Sequence, residues 1–265
     1  MLLTSAQMSA WLGDFLWPLT RVAMVFAVAP VFGGRLVTAK FRILLAVVVT
    51  AVLVPVIPAA PVVDPLSAAG VMITLQQLLI GLVLGFMLQM VFTAMVIGGH
   101  TIALGMGLGF ASMVDPQNGV QVPVVGQYYT TIATLLFLAL DGHLMLISVL
   151  SDSFYTLPVA VDGLSRQSLW DVVAWGSRMF AGGVLIAMPA ITALLLTNIA
   201  FGVITRAAPQ LNIFGVGFPL TLTLGFIIMF ITLPALVPQF SDLLAEAFDV
   251  LGALARLPGG AHGGE

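Results

Sequence analysis

The sequence predicts an all-α fold, a polytopic membrane protein of about six hydrophobic helices interrupted by helix-breaking loops. Three observations lead there. Hydrophobic residues make up 60% of the 265 and charged residues 7%, against roughly 25% charged in soluble domains. So few charges cannot cover a soluble surface while the apolar residues also fill a core, and lipid must take up the excess. Apolar stretches near the ~20 residues that a membrane-crossing helix needs recur along the chain. Clusters of turn-forming residues separate them and leave no room for a soluble domain.

The first span runs from Trp11 to Pro30, and the segment before it lacks the basic stretch that precedes a secretory signal's apolar core, so it reads as retained. Gly33, Gly34 and Arg35 break the chain before a second span, Phe41 to Ile57. The Pro58 to Pro65 stretch ends that span, and the third runs from Val71 to Ile97. A fourth covers Val124 to Leu150, a fifth Met179 to Ile204 and a sixth Phe214 to Val237. From Gln239 to Leu257, Phe240, Leu243, Leu244, Ala247, Phe248 and Leu251 recur at helical intervals opposite Asp242, Glu246 and Asp249, which predicts a separate amphipathic terminal helix. Residues 1–257 thus read as one helical membrane domain and 258–265 as a disordered tail. Arg35, Lys40 and Arg42 cluster after the first span and favour an external amino terminus.

Composition also excludes functions. The net charge of −3 is spread over few ionisable groups, leaving no basic stripe for nucleic acid. With no cysteine there is no disulfide, thiolate catalysis or Cys-ligated metal. No Gly-x-x-x-x-Gly-Lys loop is present to bind nucleotide phosphates. No catalytic residue, metal ligand set or cofactor is expected. Asp141 and His143 could form an acid–base pair or half a metal site, but residues two apart do not share a helix face. Gly142 between them suggests a break where a polar pair meets water.

Asp14, Arg21, Asp141, His143, Arg178 and Asn198 fall inside or against apolar runs, where a charge is costly, so most must face protein or water. Asp14 and Arg21, seven residues apart, can look out from one face of the first helix toward different neighbours. Gly81 and Gly85 form a close-packing pair. Gly105, Gly107 and Gly109 lead into Phe110, Met113, Val114, Asp115 and Pro116, a flexible apolar segment that ends in a strong turn. Irregular backbone of this kind at membrane depth must be buried in protein or line a water-filled cavity.

These features together resemble the FliR family of flagellar export-gate proteins, whose injectisome counterparts are the SctT proteins. The resemblance spans nearly the whole chain. It rests on Arg21 with Pro30 to Gly33, the Gly81/Gly85 helix, the glycine run into Asp115 and Pro116, Asp141 to His143, and Arg206 with Pro209, Gln210, Leu211 and Asn212. It implies a FliP-like portion joined to a FliQ-like portion. The chain would be a subunit assembling with FliP and FliQ into a channel for unfolded export substrates, in contact with FlhB and FlhA. It would lie in the bacterial inner membrane, within the flagellar basal body. The stretch from about Gly105 to Gln121 matches a loop that helps close the channel, and Arg206 to Asn212 a turn that meets a neighbouring subunit. Gln76 and Gln77 depart from the pattern, standing where this family leads one to expect an acid.

Two other readings compete. A secondary transporter would also have glycine-broken helices and a few intramembrane charges, but its halves should repeat, and none of this sequence does so convincingly. A membrane enzyme using Asp115, Asp141 and His143 would need a recognisable nucleophile or ligand set, and the sequence supplies neither.

Overall fold

The computed structural model describes residues 5–34, 37–109, 124–207 and 217–256, in which all regular structure is helical. Eight helices occur among them: α1 (Ser5–Val28), α2 (Pro30–Gly33), α3 (Ala39–Leu53), α4 (Ala68–Gly105), α5 (Val124–Ala139), α6 (Gly142–Thr156), α7 (Arg166–Ala207) and α8 (Phe218–Arg256). By length and composition α4, α7 and α8 can each cross a membrane, and α5 with α6 can form a fourth, broken span. At 15 residues α3 extends only about 22 Å, short of the ~30 Å hydrocarbon core.

The six expected spans therefore need correction in two places. The fourth is two helices, because Asp141 sits between them at φ 55°, a left-handed conformation that no helix can continue through. The sixth span and the separate terminal helix are one continuous helix, α8, with Pro234 and Pro238 inside it. Proline removes an N–H but is tolerated in apolar helices whose neighbours hold the freed groups. The long helix α4 continues past the expected end of the third span at Ile97 as far as Gly105.

The chain folds as two compact units. Unit 1 gathers the described residues of Met1–Met90, Asp141–Trp175 and Leu244–Glu265, and unit 2 those of Val91–Leu140 and Gly176–Leu243. In unit 1, α1 buries Trp17, Arg21, Val22, Val25 and Phe26, while the amphipathic end of α8 buries Leu244, Ala247, Phe248 and Leu251. In unit 2, Phe92 of α4 makes edge-on contacts with Phe137 of α5 and Phe240 of α8, at centroid distances of 5.8 and 5.7 Å. Glycines let the helices of unit 2 close up. A Cβ at Gly183 of α7 would lie 2.7 Å from Ile97 Cγ2, and one at Gly98 of α4 would lie 2.7 Å from Ile186 Cγ2.

Threonine hydroxyls inside these apolar helices close onto their own turn. Thr50 donates to the Ala46 carbonyl at 2.7 Å, Thr130 to Gly126 at 2.9 Å and Thr192 to Met188 at 2.8 Å. Such self-satisfied hydroxyls need no outside partner, so they fit an apolar surface.

Candidate functional site

Two local arrangements hold the residues that the sequence singled out. The first is a buried arginine in unit 1. Along α1, Asp14, Trp17 and Arg21 follow at three- and four-residue spacing and so lie on one side of the helix. Each meets a different neighbour. Asp14 Oδ1 accepts from the Ala60 N–H at 2.8 Å, and Trp17 Nε1 donates to Thr74 Oγ1 on α4 at 3.2 Å.

Arg21 is fully buried. Its Nε donates to Gln77 Oε1 at 2.8 Å, one terminal nitrogen donates to the Ser153 carbonyl (2.8 Å) and hydroxyl (3.0 Å), and the other to the Leu157 carbonyl at 2.7 Å. The Phe154 ring lies under the guanidinium, 4.1 Å from centroid to Cζ. All the acceptors are neutral, and no carboxylate among the described residues pairs with the cation. Ser153 and Leu157 belong to the carboxyl-terminal end of α6, where unsatisfied carbonyls carry partial negative charge. The arginine thus caps α6 and is stabilised by its dipole, joining α1, α4 and α6 through one side chain.

Glycine makes that approach possible. A Cβ at Gly81 would lie 2.5 Å from the Arg21 carbonyl oxygen and 2.9 Å from Met24 Cβ, and one at Gly85 would lie 2.8 Å from Val28 Cβ. The Gly81/Gly85 pair is the surface on which α1 rests. Gln76 packs against Gly163, in the α6–α7 connection, closely enough that a Cβ there would lie 2.3 Å from Gln76 Oε1. Gln76 Oε1 and Gln77 Nε2 are buried without hydrogen-bond partners among the described residues.

The second arrangement is the root of the glycine-rich segment in unit 2. The Leu108 N–H donates to the Ala103 carbonyl at 3.0 Å and the Gly107 N–H to the Leu104 carbonyl at 3.0 Å, while Gly107 has φ 83°. This pairing is a Schellman motif, in which a left-handed glycine ends a helix and satisfies its last carbonyls. Met106, just before it, is fully buried. Thr221 of α8 donates to the Met106 carbonyl at 3.4 Å, and a Cβ at Gly225 would lie 2.5 Å from Met106 Cγ. The segment therefore departs from a fixed point held by α8. Gly105 is the last residue of α4 and faces Leu194. Phe110, Met113, Val114, Asp115 and Pro116 lie outside the described residues.

The other predicted residues do not join either arrangement. Asp141 is exposed and makes no side-chain cap bond to α6, and His143 is half-buried with Nδ1 unpartnered among the described residues. Asn198 and Arg206 are exposed on α7, and Pro209, Gln210 and Asn212 lie outside the described residues. Among the described residues no three His, Asp or Glu side chains converge as metal ligands. Sequence reasoning missed Gln77, Ser153 and the Leu157 carbonyl as partners of Arg21. The available signal was scarcity: a buried guanidinium has five N–H groups to satisfy, and few polar side chains interrupt the apolar runs.

Long apolar helices whose hydroxyls close on themselves, together with a charge that the protein buries among neutral acceptors, define a polytopic membrane protein without a recognisable catalytic centre among the described residues. The model of a family described as bacterial export proteins, family 1, matches residues 12–247. The flagellar biosynthetic protein FliR of Escherichia coli (strain K12) is 40% identical over 256 residues, 96% of this chain and 98% of that one. FliR of Pectobacterium carotovorum subsp. carotovorum is 40% identical over 249 residues, covering 93% and 94%, and FliR of Bacillus subtilis (strain 168) 28% identical over 248, covering 92% and 95%. The chain belongs to the FliR family of bacterial export proteins.

Proposed function

We propose that this chain is a structural and gating subunit of the flagellar-type type III protein export gate, forming with FliP and FliQ the channel for unfolded substrate proteins. Family membership along residues 12–247, with relatives named as flagellar biosynthetic proteins, carries the reading. The complex lies in the bacterial inner membrane at the flagellar basal body, with FlhB and FlhA as further partners. A physical argument supports assembly. Besides what it packs internally, α7 leaves Leu185, Met188, Leu195, Leu196, Ile199 and Val203 exposed, and α8 leaves Phe226, Phe230 and Ile231 exposed. Surfaces of this kind are covered by lipid or by other apolar helices.

Within that complex the stretch from Gly105 to Gln121 closes the channel. Its glycines permit more than one backbone arrangement, and Phe110, Met113 and Val114 supply apolar bulk that excludes water and yields to a passing chain. Native mass spectrometry of the detergent-extracted protein, coexpressed with the neighbouring membrane genes of its operon, tests the assembly. A hetero-oligomer containing this chain is expected, and a stable monomer or homodimer indifferent to those neighbours would overturn the reading. Removing residues within 108–121 should raise small-solute leakage through the assembled gate; unchanged leakage would remove the gating role.

A further inference from the structure

Helix α3, in unit 1, has two unlike sides. Ala46, Thr50 and Leu53 are buried at four- and three-residue spacing, and α3 packs along α1. The other side is bare: Phe41, Ile43, Leu44, Val48 and Val52 each show more than half of their surface. From Phe41 to Val56 every exposed residue is apolar.

The make-up of this side favours acyl chains over a second helix. Helix contacts inside this protein close over glycines, Gly81 and Gly85 beneath α1 and Gly98 and Gly183 between α4 and α7, as close approach of helices in a membrane requires. The bare side of α3 has no glycine, and Ala51 is the one small residue on it between Phe41 and Val52. Bulky side chains hold a second backbone off, whereas fluid chains fill in between them.

Charge narrows the choice further. Lys40, Leu44, Val48 and Val52 are all exposed and follow at four-residue spacing, a row about 18 Å long that begins with a cation and continues with aliphatic groups. Beside Lys40, the Arg42 guanidinium donates to the carbonyls of Phe32, Gly34 and Val37 at 3.1, 3.4 and 3.3 Å, all neutral acceptors. Among the described residues no carboxylate pairs with either cation. The lengths also agree. Half of the ~30 Å hydrocarbon core is about 15 Å, roughly ten residues of helix, so an acyl chain whose phosphate meets Lys40 runs past Leu44 and Val48 and ends near Val52. Beyond that, the Tyr155 hydroxyl donates to the Val56 carbonyl, giving a partner to a group that hydrocarbon would leave bare.

We propose that the outer side of α3 binds an anionic phospholipid, its phosphate against Lys40 and one acyl chain along Leu44, Val48 and Val52. The site requires only residence in a membrane, so it goes beyond the export-gate reading and stands apart from it.

Native mass spectrometry of the detergent-extracted protein, with whatever subunits it carries, tests the headgroup. Phosphatidylglycerol should be retained about fivefold over phosphatidylcholine, as one cation near a headgroup provides. Lys40→Gln should abolish that preference and Lys40→Arg should keep it, both with an unchanged Tm in lipid-free detergent because the side chain is exposed. The chain has no cysteine, so Val48→Cys carries a unique thiol; labelled with a photoreactive maleimide in the membrane, it should form adducts with phospholipid. Equal retention of the two lipids, an undiminished preference in Lys40→Gln, or Val48 adducts to another subunit or a second copy of this chain would overturn the site and leave the export-gate reading standing. A chain that carries no other subunit would sink the export-gate reading, while the same lipid ratio would still decide the site.

Discussion

Replacing Arg21 by methionine keeps much of the side chain's volume and removes its guanidinium, so the loss follows from the acceptors left behind. Gln77 Oε1, the Ser153 carbonyl and hydroxyl, and the Leu157 carbonyl would lose donors now 2.7–3.0 Å away. Ser153 retains an exit for its own proton, since its hydroxyl also donates to the Leu150 carbonyl at 2.6 Å. The Ser153 carbonyl likewise keeps the Leu157 N–H at 3.0 Å, which leaves Gln77 Oε1 and the Leu157 carbonyl as the groups most exposed to the change. Each buried unsatisfied group costs about 1–3 kcal/mol, and the ring contact with Phe154 contributes roughly 1 kcal/mol more. The expected destabilisation is therefore about 3–7 kcal/mol. For a chain of this size that corresponds to a fall in Tm of roughly 6–28 °C, measurable by thermal unfolding of the purified protein in detergent. Arg21→Lys should fall between, since one ammonium cannot reach acceptors spread around a planar fork. A methionine variant melting within about 2 °C of the parent would refute the arginine's role in holding α1, α4 and α6 together.

Other substitutions test neighbouring parts of the same reasoning. Gln77→Glu should stabilise by about 1–2 kcal/mol, because a carboxylate 2.8 Å from Arg21 Nε would pair the buried cation and remove the unpartnered amide nitrogen; a lower Tm would show that desolvating the second charge dominates. Gly81→Ala should lower Tm, as its Cβ would meet backbone at 2.5 Å, whereas Gly252→Ala, with nothing within 4 Å among the described residues, should raise stability by about 0.5–1 kcal/mol; equal effects would disprove the packing argument. Gly107→Ala should cost about 1–2 kcal/mol through its φ of 83°, and hydrogen exchange should accelerate at the Leu108 amide; unchanged protection there would argue against the Schellman stop.

Membrane residence and helical class follow from composition, since 60% hydrophobic and 7% charged residues leave no soluble alternative. Local patterns were equally legible. The stripe Phe240, Leu243, Leu244, Ala247, Phe248 and Leu251 is buried as its spacing predicts, the Gly81/Gly85 pair is a helix contact, and the chain breaks at Asp141. These properties depend on neighbours within one or two turns, which is what periodicity records.

Other features required the folded chain. Pro234 and Pro238 mark a helix end on local grounds, yet α8 continues through both, because packing can hold backbone groups that a proline releases. Gly98 and Gly99 are contacts for α7 and α5, and only the packed helices show which neighbours they admit. Arg21 was identifiable as a residue that needed partners. The identity of those partners, 56 residues away at Gln77 and 132 and 136 away at Ser153 and Leu157, was not. A guanidinium's demand for acceptors is a property of the residue, and so the sequence determines it; which acceptors arrive depends on how α4 and α6 pack against α1, and only the tertiary structure decides that.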